Sequence, residues 1–158
     1  MAMGPVLVDT GVFGADRSPT SKPLADLYAE VLVGRNILIS FVTVAELRYG
    51  ALRAGWGAKR RNELEETIDA AKVVWPGHGL ASEYAALRAE CVAAGHGLAE
   101  KSNEADRWVA ATARYVKVPL VSHDGVFVDA PGIELLTVVP CEVTKRTVSR
   151  RRLRASGS

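Results

Sequence analysis

Two kinds of hydrophobic pattern alternate along this chain. Short runs with no polar interruption, such as "VLV" at 6–8, read as strands buried on both faces. Longer stretches with apolar residues every three or four positions read as helices. "SPTSKPLADLYAEVLVG" carries Leu24, Leu27, Tyr28, Val31 and Leu32 on one stripe, with Pro23 in a first turn and Gly34 at a C-terminal cap. "NILISFV" is a second buried strand, and "TVAELRYGALRAG" a helix from near Thr43 to Gly55. "AKRRNELEETIDAAK" turns Leu64, Ile68 and Ala71 inward, and "VVW" before Pro76 is a third strand. "LASEYAALRAECVAAG" turns Leu80, Tyr84, Leu87 and Cys91 to one face. "SNEADRWVAATARYVK" turns in Ala105, Trp108, Val109, Thr112 and Val116. "VPLVSHDG" is a fourth strand and "IELLTVV" a fifth, with Pro140 ending the order.

Strands alternating with helices, and strands that are continuously apolar, predict an α/β fold: a parallel sheet covered by helices on both faces. In such sheets ligands bind beyond the carboxyl ends of the strands. The 158 residues suit one domain, with no repeat or interdomain linker. No apolar run reaches the roughly 20 residues of a membrane helix. The segment "MAMGPVLVD" lacks the basic and apolar regions of a secretory signal. The expectation is a cytoplasmic protein with no membrane partner.

Charge divides the chain. Lys145, Arg146, Arg150, Arg151, Arg152 and Arg154 carry six of the 20 basic residues, which leaves 14 against 18 acids, or −4, for residues 1–144. We expect a domain over 5–140 and a basic tail over 141–158. Such a tail has nothing to pack and reads as solvated and disordered; it can also attract nucleic acid in a salt-sensitive way. Cys91 and Cys141 share no metal-ligand spacing, and Cys91 sits on a core stripe as a reduced thiol.

The chemistry lies with the acids at the strand ends. Asp9 follows the first strand, Glu46 opens the helix after the second, and Asp124 follows the fourth. Asp106 opens the helix that feeds the fourth strand, and pattern alone does not say which edge it reaches. Each has a structural reading. Thr43 and Glu46 fit a capping box, Asn103 and Asp106 have similar spacing, and Asp124-Gly125 is a turn pair. Together they are harder to explain, because crowded like charges cost free energy unless protonated or neutralised by a cation.

"VLVDTGVF", "ISFVTVAELRYG", "NEADRWVAATA" and "PLVSHDGVF" resemble, in order and spacing, the four motifs of PIN-domain ribonucleases, specifically VapC toxins of toxin–antitoxin pairs. The resemblance covers roughly residues 5–140. It implies a PIN domain with about five parallel strands and an acidic cluster of Asp9, Glu46, Asp106 and Asp124. Thr10 and Ser122 match hydroxyls beside that cluster, Asn103 is a weaker match, and Asp129 is the substitute for the fourth acid, Asp124.

Oxygen ligands without His or Cys suit Mg²⁺ or Mn²⁺. Asp9 and Asp106 are the expected direct ligands, with Glu46 and Asp124 holding waters or a second ion. The implied activity is metal-dependent endoribonuclease: hydrolysis of RNA phosphodiesters to a 5′-phosphate and a 3′-hydroxyl. The resemblance further implies a VapB-type antitoxin, a homodimer, inhibition of translation, and transfer or ribosomal RNA as substrate. The alternative is a PIN-fold module that binds RNA or protein with little turnover. Arg48, Arg53, Lys59, Arg60 and Arg61 offer a basic edge or a solvated helix face. Trp56, between glycines, reads as exposed, where it could stack a base or bury against a partner; His78 and His96 read as loop residues. A dinucleotide-binding turn, a second Asp two positions after Asp9, and a P-loop are all missing, which removes three rival classes.

Overall fold

The computed structural model describes residues 3–138. The basic tail and Cys141 lie outside them. Its elements are β1 (Val6–Val8), α1 (Thr10–Phe13), α2 (Lys22–Leu32), β2 (Ile37–Ser40), α3 (Phe41–Arg53) and α4 (Ala58–Ala70), then β3 (Lys72–Val74), α5 (His78–Ala94), α6 (Glu104–Val116), β4 (Leu120–Val121) and β5 (Leu135–Leu136). The strands form one sheet in the order β3-β2-β1-β4-β5. Every pairing is parallel, with Leu7 opposite both Leu38 and Leu120. The α/β fold with a five-stranded parallel sheet is therefore observed.

Alternation along the strands decides what each face buries. Leu7, Leu38 and Leu120 share a cluster with Leu80, Leu87, Cys91, Val109 and Ala110 of α5 and α6. Val6, Val8 and Val121 face the other way, against Val12 and Tyr28 of α1 and α2. Ile39 packs with Val44, Ala51, Leu64 and Ile68 of α3 and α4. Helices thus cover both faces. Each wholly buried leucine contributes about 1.5–3 kcal/mol, and Leu7, Leu80, Leu87 and Leu120 are wholly buried. Cys91 is buried and free. Among the described residues no helix is long and apolar enough to cross a membrane.

Several local expectations need correction. α3 starts at Phe41, directly after β2, because Ser40 Oγ accepts from Val42 N–H at 3.2 Å and caps it. The Thr43–Glu46 capping box therefore does not form; Thr43 is inside the helix and buried. Asn103 does not cap α6 with its side chain. Its amide donates instead to Gly97 O at 2.8 Å. Leu27 is 55% exposed, and Ala105 is exposed too. Periodicity gives a stripe but not its exact width.

The loop before α6 is held by a side chain that hydrophobic patterning cannot see. Arg107 is buried, and its Nη1 donates at 2.6 Å to both Leu98 O and Glu100 O. Its Nε donates to the Tyr84 hydroxyl at 3.1 Å. The Tyr84 ring stacks on Trp108, with centroids 3.9 Å apart. His96 closes the same loop: Nδ1 accepts from Leu98 N–H at 3.1 Å, so Nε2 carries the proton donated to Val128 O at 2.8 Å.

Candidate active site

Asp9 is the last residue in line with β1, and its N–H still bonds Val121 O at 2.9 Å. Its extended backbone, φ −67° and ψ 155°, makes it the cap of α1. Oδ1 accepts from Thr10 N–H at 2.7 Å, and Oδ2 accepts from Ser122 Oγ at 2.7 Å. Ser122 is wholly buried, and its hydroxyl also accepts from Asp124 N–H at 3.0 Å. Asp124 Oδ1 in turn accepts from Val126 N–H at 2.9 Å, which caps the one-turn helix Gly125–Phe127. The turn after β4 is thus tied to Asp9 through one hydroxyl.

A second chain runs toward α3. Thr10 Oγ1 donates to Glu46 Oε1 at 3.0 Å. It lies 2.9 Å from Thr43 Oγ1. With the Thr10 proton committed to the carboxylate, the Thr43 hydroxyl is the donor to Thr10. Thr43 is the residue that pattern reading missed as a site residue. Its signal was present, since Thr43 and Glu46 are three apart on one helical face.

The electrostatics follow. Burial holds the Asp9 carboxyl above its ordinary pKa, and the nearby charges of Glu46 and Asp124 push the same way; the hydrogen bonds from Ser122 and Thr10 oppose them. No basic group is among the causes. Asp9, Glu46 and Asp124 therefore share one electrostatic environment at the carboxyl edge of β1, β2 and β4.

Asp106 arrives by a different route. α6 runs back toward the amino end of β4, so its first turns project past the carboxyl edge. Trp108 packs edge-on against Phe41, the first residue of α3, with centroids 5.7 Å apart. Thr112 Oγ1 reaches Ser40 Oγ at the end of β2, 3.4 Å away. Asp106, half-buried in the first turn of α6, lies between one and two turns before Thr112 on that helix.

The sequence profile of the PIN domain matches residues 6–133. The chain belongs to the PIN domain family. Solved structures share the fold. VapBC2 from Rickettsia felis, solved bound to a promoter DNA fragment, superposes with a TM-score of 0.69 at 18% identity, over 85% of this chain and 98% of that one. FitAcB from Neisseria gonorrhoeae gives 0.68 at 23% identity, over 83% and 96%. VapBC-5 from Mycobacterium tuberculosis, of the VapBC toxin–antitoxin family, gives 0.58 at 25%, over 85% and 98%. No curated protein matches the sequence.

Whether this PIN domain's residues suit a divalent ion can be tested on the donor set. The groups meeting at Asp9 are carboxylates and hydroxyls, with no His or Cys, the chemistry that Mg²⁺ and Mn²⁺ take. Desolvation already disfavours the Asp9 anion, and the charges of Glu46 and Asp124 add to that; a cation would offset both. Among the described residues, no three His, Cys, Asp or Glu side chains converge closely enough to hold an ion directly. That is compatible with Mg²⁺, which keeps several waters and takes one or two carboxylates. The donor set fits.

The remaining candidates fall elsewhere. Arg48 forms a two-pronged pair with Glu65, at 2.9 and 2.8 Å. Trp56 is half-buried in the α3–α4 cluster, with the Arg60 guanidinium 4.0 Å above its ring. Asp129 is an exposed loop residue with φ 58°. His123 is exposed, and its Nδ1 lies 3.0 Å from the Tyr28 hydroxyl. Asn103 serves the loop that leads into α6.

Proposed function

We propose that this PIN domain is a divalent-metal-dependent endoribonuclease and the toxin of a toxin–antitoxin pair. The observation that carries the reading is the half-buried Asp9 carboxyl, oriented by the Ser122 and Thr10 donors and raised above its ordinary pKa by desolvation, with Glu46 and Asp124 adding to the shift. Asp9 and Asp106 would hold the ion, with Glu46 and Asp124 reaching it through water. Bound there, the ion supplies activation of water for attack on phosphorus and relief of charge on the phosphate. The chain's own residues do the positioning. Ser122 fixes the free direction of Asp9 Oδ2, and Thr10 aims Glu46. Asn103 and Arg107 set the loop from which Asp106 enters.

The toxin role is supported by the company of the fold, since the relatives named above are halves of VapBC and FitAB complexes. A VapB-type antitoxin, a homodimer, transfer or ribosomal RNA as substrate and a cytoplasmic site of action belong to the same reading. Leu27 on α2 and Tyr49 and Leu52 on α3 are 55–65% exposed and would offer an antitoxin its apolar contacts.

The test is cleavage of structured RNA by purified protein in Mg²⁺. Activity should vanish with a chelator and fall to background in Asp9→Asn and in Asp106→Asn, with both variants folded. Cleavage that survives the chelator, or that both variants retain, rejects the proposal. RNA binding with no cleavage by the parent would select the binding-module alternative.

A further inference from the structure

At the carboxyl edge of β4 and β5, a side chain stands where a ladder bond belongs. The ladder runs from Leu120 N–H to Glu134 O at 2.9 Å, then from Ser122 N–H to Leu136 O at 3.4 Å. The next bond of a parallel pair would run from Val138 N–H to Ser122 O. The hydroxyl of Tyr28, a wholly buried residue of α2, sits between them instead. It lies 3.2 Å from Val138 N and 3.1 Å from Ser122 O, with Thr137 Oγ1 beside it at 3.1 Å.

This arrangement fixes where the protons go. Val138 N–H can only donate and Ser122 O can only accept, so the Tyr28 proton goes to Ser122 O. The same hydroxyl oxygen lies 3.0 Å from His123 Nδ1. With its proton committed, Tyr28 accepts there, and Nδ1 carries the hydrogen. In the neutral imidazole Nε2 is then a bare acceptor. The His123 and Tyr28 rings also meet edge to face, with centroids 5.6 Å apart at 89°. An exposed imidazole is thus held in one orientation by a buried hydroxyl. The two ring nitrogens point apart, so Nε2 turns away from Tyr28. Among the described residues none bonds it.

His123 is also at the site. Val121 is in register with Val8, so Ser122 stands beside Asp9, to which its hydroxyl donates at 2.7 Å. His123 follows, directly before Asp124. A bare nitrogen there has nothing to take from a phosphate, whose oxygens are acceptors themselves. In the backbone of a nucleic acid the donor is the ribose 2′-hydroxyl, which DNA lacks.

We propose that His123 Nε2 accepts the 2′-hydroxyl of a nucleotide beside the scissile phosphate, and that this contact lets the site tell RNA from DNA. The inference rests on the nuclease reading for its substrate, and its test does not depend on cleavage. His123 touches the substrate; Tyr28 is a positioning residue that acts through it.

The probes are fluorescein-labelled oligo(U) and oligo(dU) of one length, which share their bases and differ at the 2′ position. Anisotropy with the full chain is read at low salt in EDTA, where no metal-dependent cleavage occurs. The parent should bind oligo(U) about two- to tenfold more tightly, the worth of one hydrogen bond. His123→Phe keeps a ring but has no acceptor. It should bring the ratio to about one, with its affinity for oligo(dU) and its melting temperature unchanged. Tyr28→Phe frees the imidazole and should lower the ratio part of the way; a full ratio in that variant overturns the role given to Tyr28. A parent with no preference for ribose overturns the proposal, and so does a His123→Phe variant that retains the preference. Equal loss of affinity for both probes overturns it too, and would assign His123 to bases or phosphates. A parent that cuts RNA in Mg²⁺ while His123→Phe keeps the full ratio leaves the nuclease reading standing without this contact. A parent that cuts nothing, yet loses its ratio in His123→Phe, refutes the nuclease reading and leaves the contact standing.

Discussion

At the scale of single residues, Asp9 holds an uncomfortable charge in place. Its carboxyl is capped by a backbone N–H and a serine hydroxyl, yet burial and two neighbouring acids still raise its pKa above the ordinary 3.8. Between those two values the folded state binds more protons than the unfolded one, so stability falls as pH rises through that window. Asp9→Asn removes the charge. Its oxygen still serves Thr10 N–H, and its amide can donate to Ser122 Oγ. Metal-free Asp9→Asn should melt above the parent at neutral pH, and the gap should close as pH falls toward 3.8. Relief of about 1 kcal/mol would appear as about 2–4 °C. A variant that melts below the parent at neutral pH would mean that Asp9 is present chiefly to cap α1.

At the scale of elements, α6 and the loop before it decide whether the fourth acid arrives. Arg107 bridges Leu98 O, Glu100 O and the Tyr84 hydroxyl from inside the core, and in doing so fixes the entry of the helix that bears Asp106. Arg107→Ala leaves those acceptors without a donor, and we expect a loss of about 3 kcal/mol in denaturant unfolding. Amide exchange should quicken in residues 97–103 before it does in the sheet. An unchanged midpoint would show that water replaces the guanidinium without cost. α3 teaches the converse. Its start was misplaced by two residues because Thr43 and Glu46 imitate a capping box, while Ser40, at the end of an apolar run, is the real cap.

At the scale of the whole molecule, one sheet gathers Asp9, Glu46 and Asp124 toward the carboxyl ends of β1, β2 and β4. If Mg²⁺ binds at Asp9, it stabilises the native state by mass action, about 2.7 kcal/mol at a hundredfold excess over the dissociation constant. A thermal-shift titration should therefore raise the parent's Tm by several degrees and that of Asp9→Asn by much less. Equal shifts in the two proteins would place the cation elsewhere.

The sequence by itself determined the architecture. Apolar runs such as 6–8 and 120–121 must be buried on both faces, and only a helix-covered parallel sheet does that for strands joined through helices. It also placed Asp9, Glu46 and Asp124 after separate strands, because strand ends are legible from hydrophobicity. What only tertiary structure decided are the relations that span the chain. Ser122 reaches Asp9 across 113 residues, Tyr28 reaches Val138 across 110, and Thr10 aims Glu46 from 36 residues away. No local pattern encodes these, since a hydrogen bond between distant segments depends on register and helix direction, which are fixed when the sheet closes.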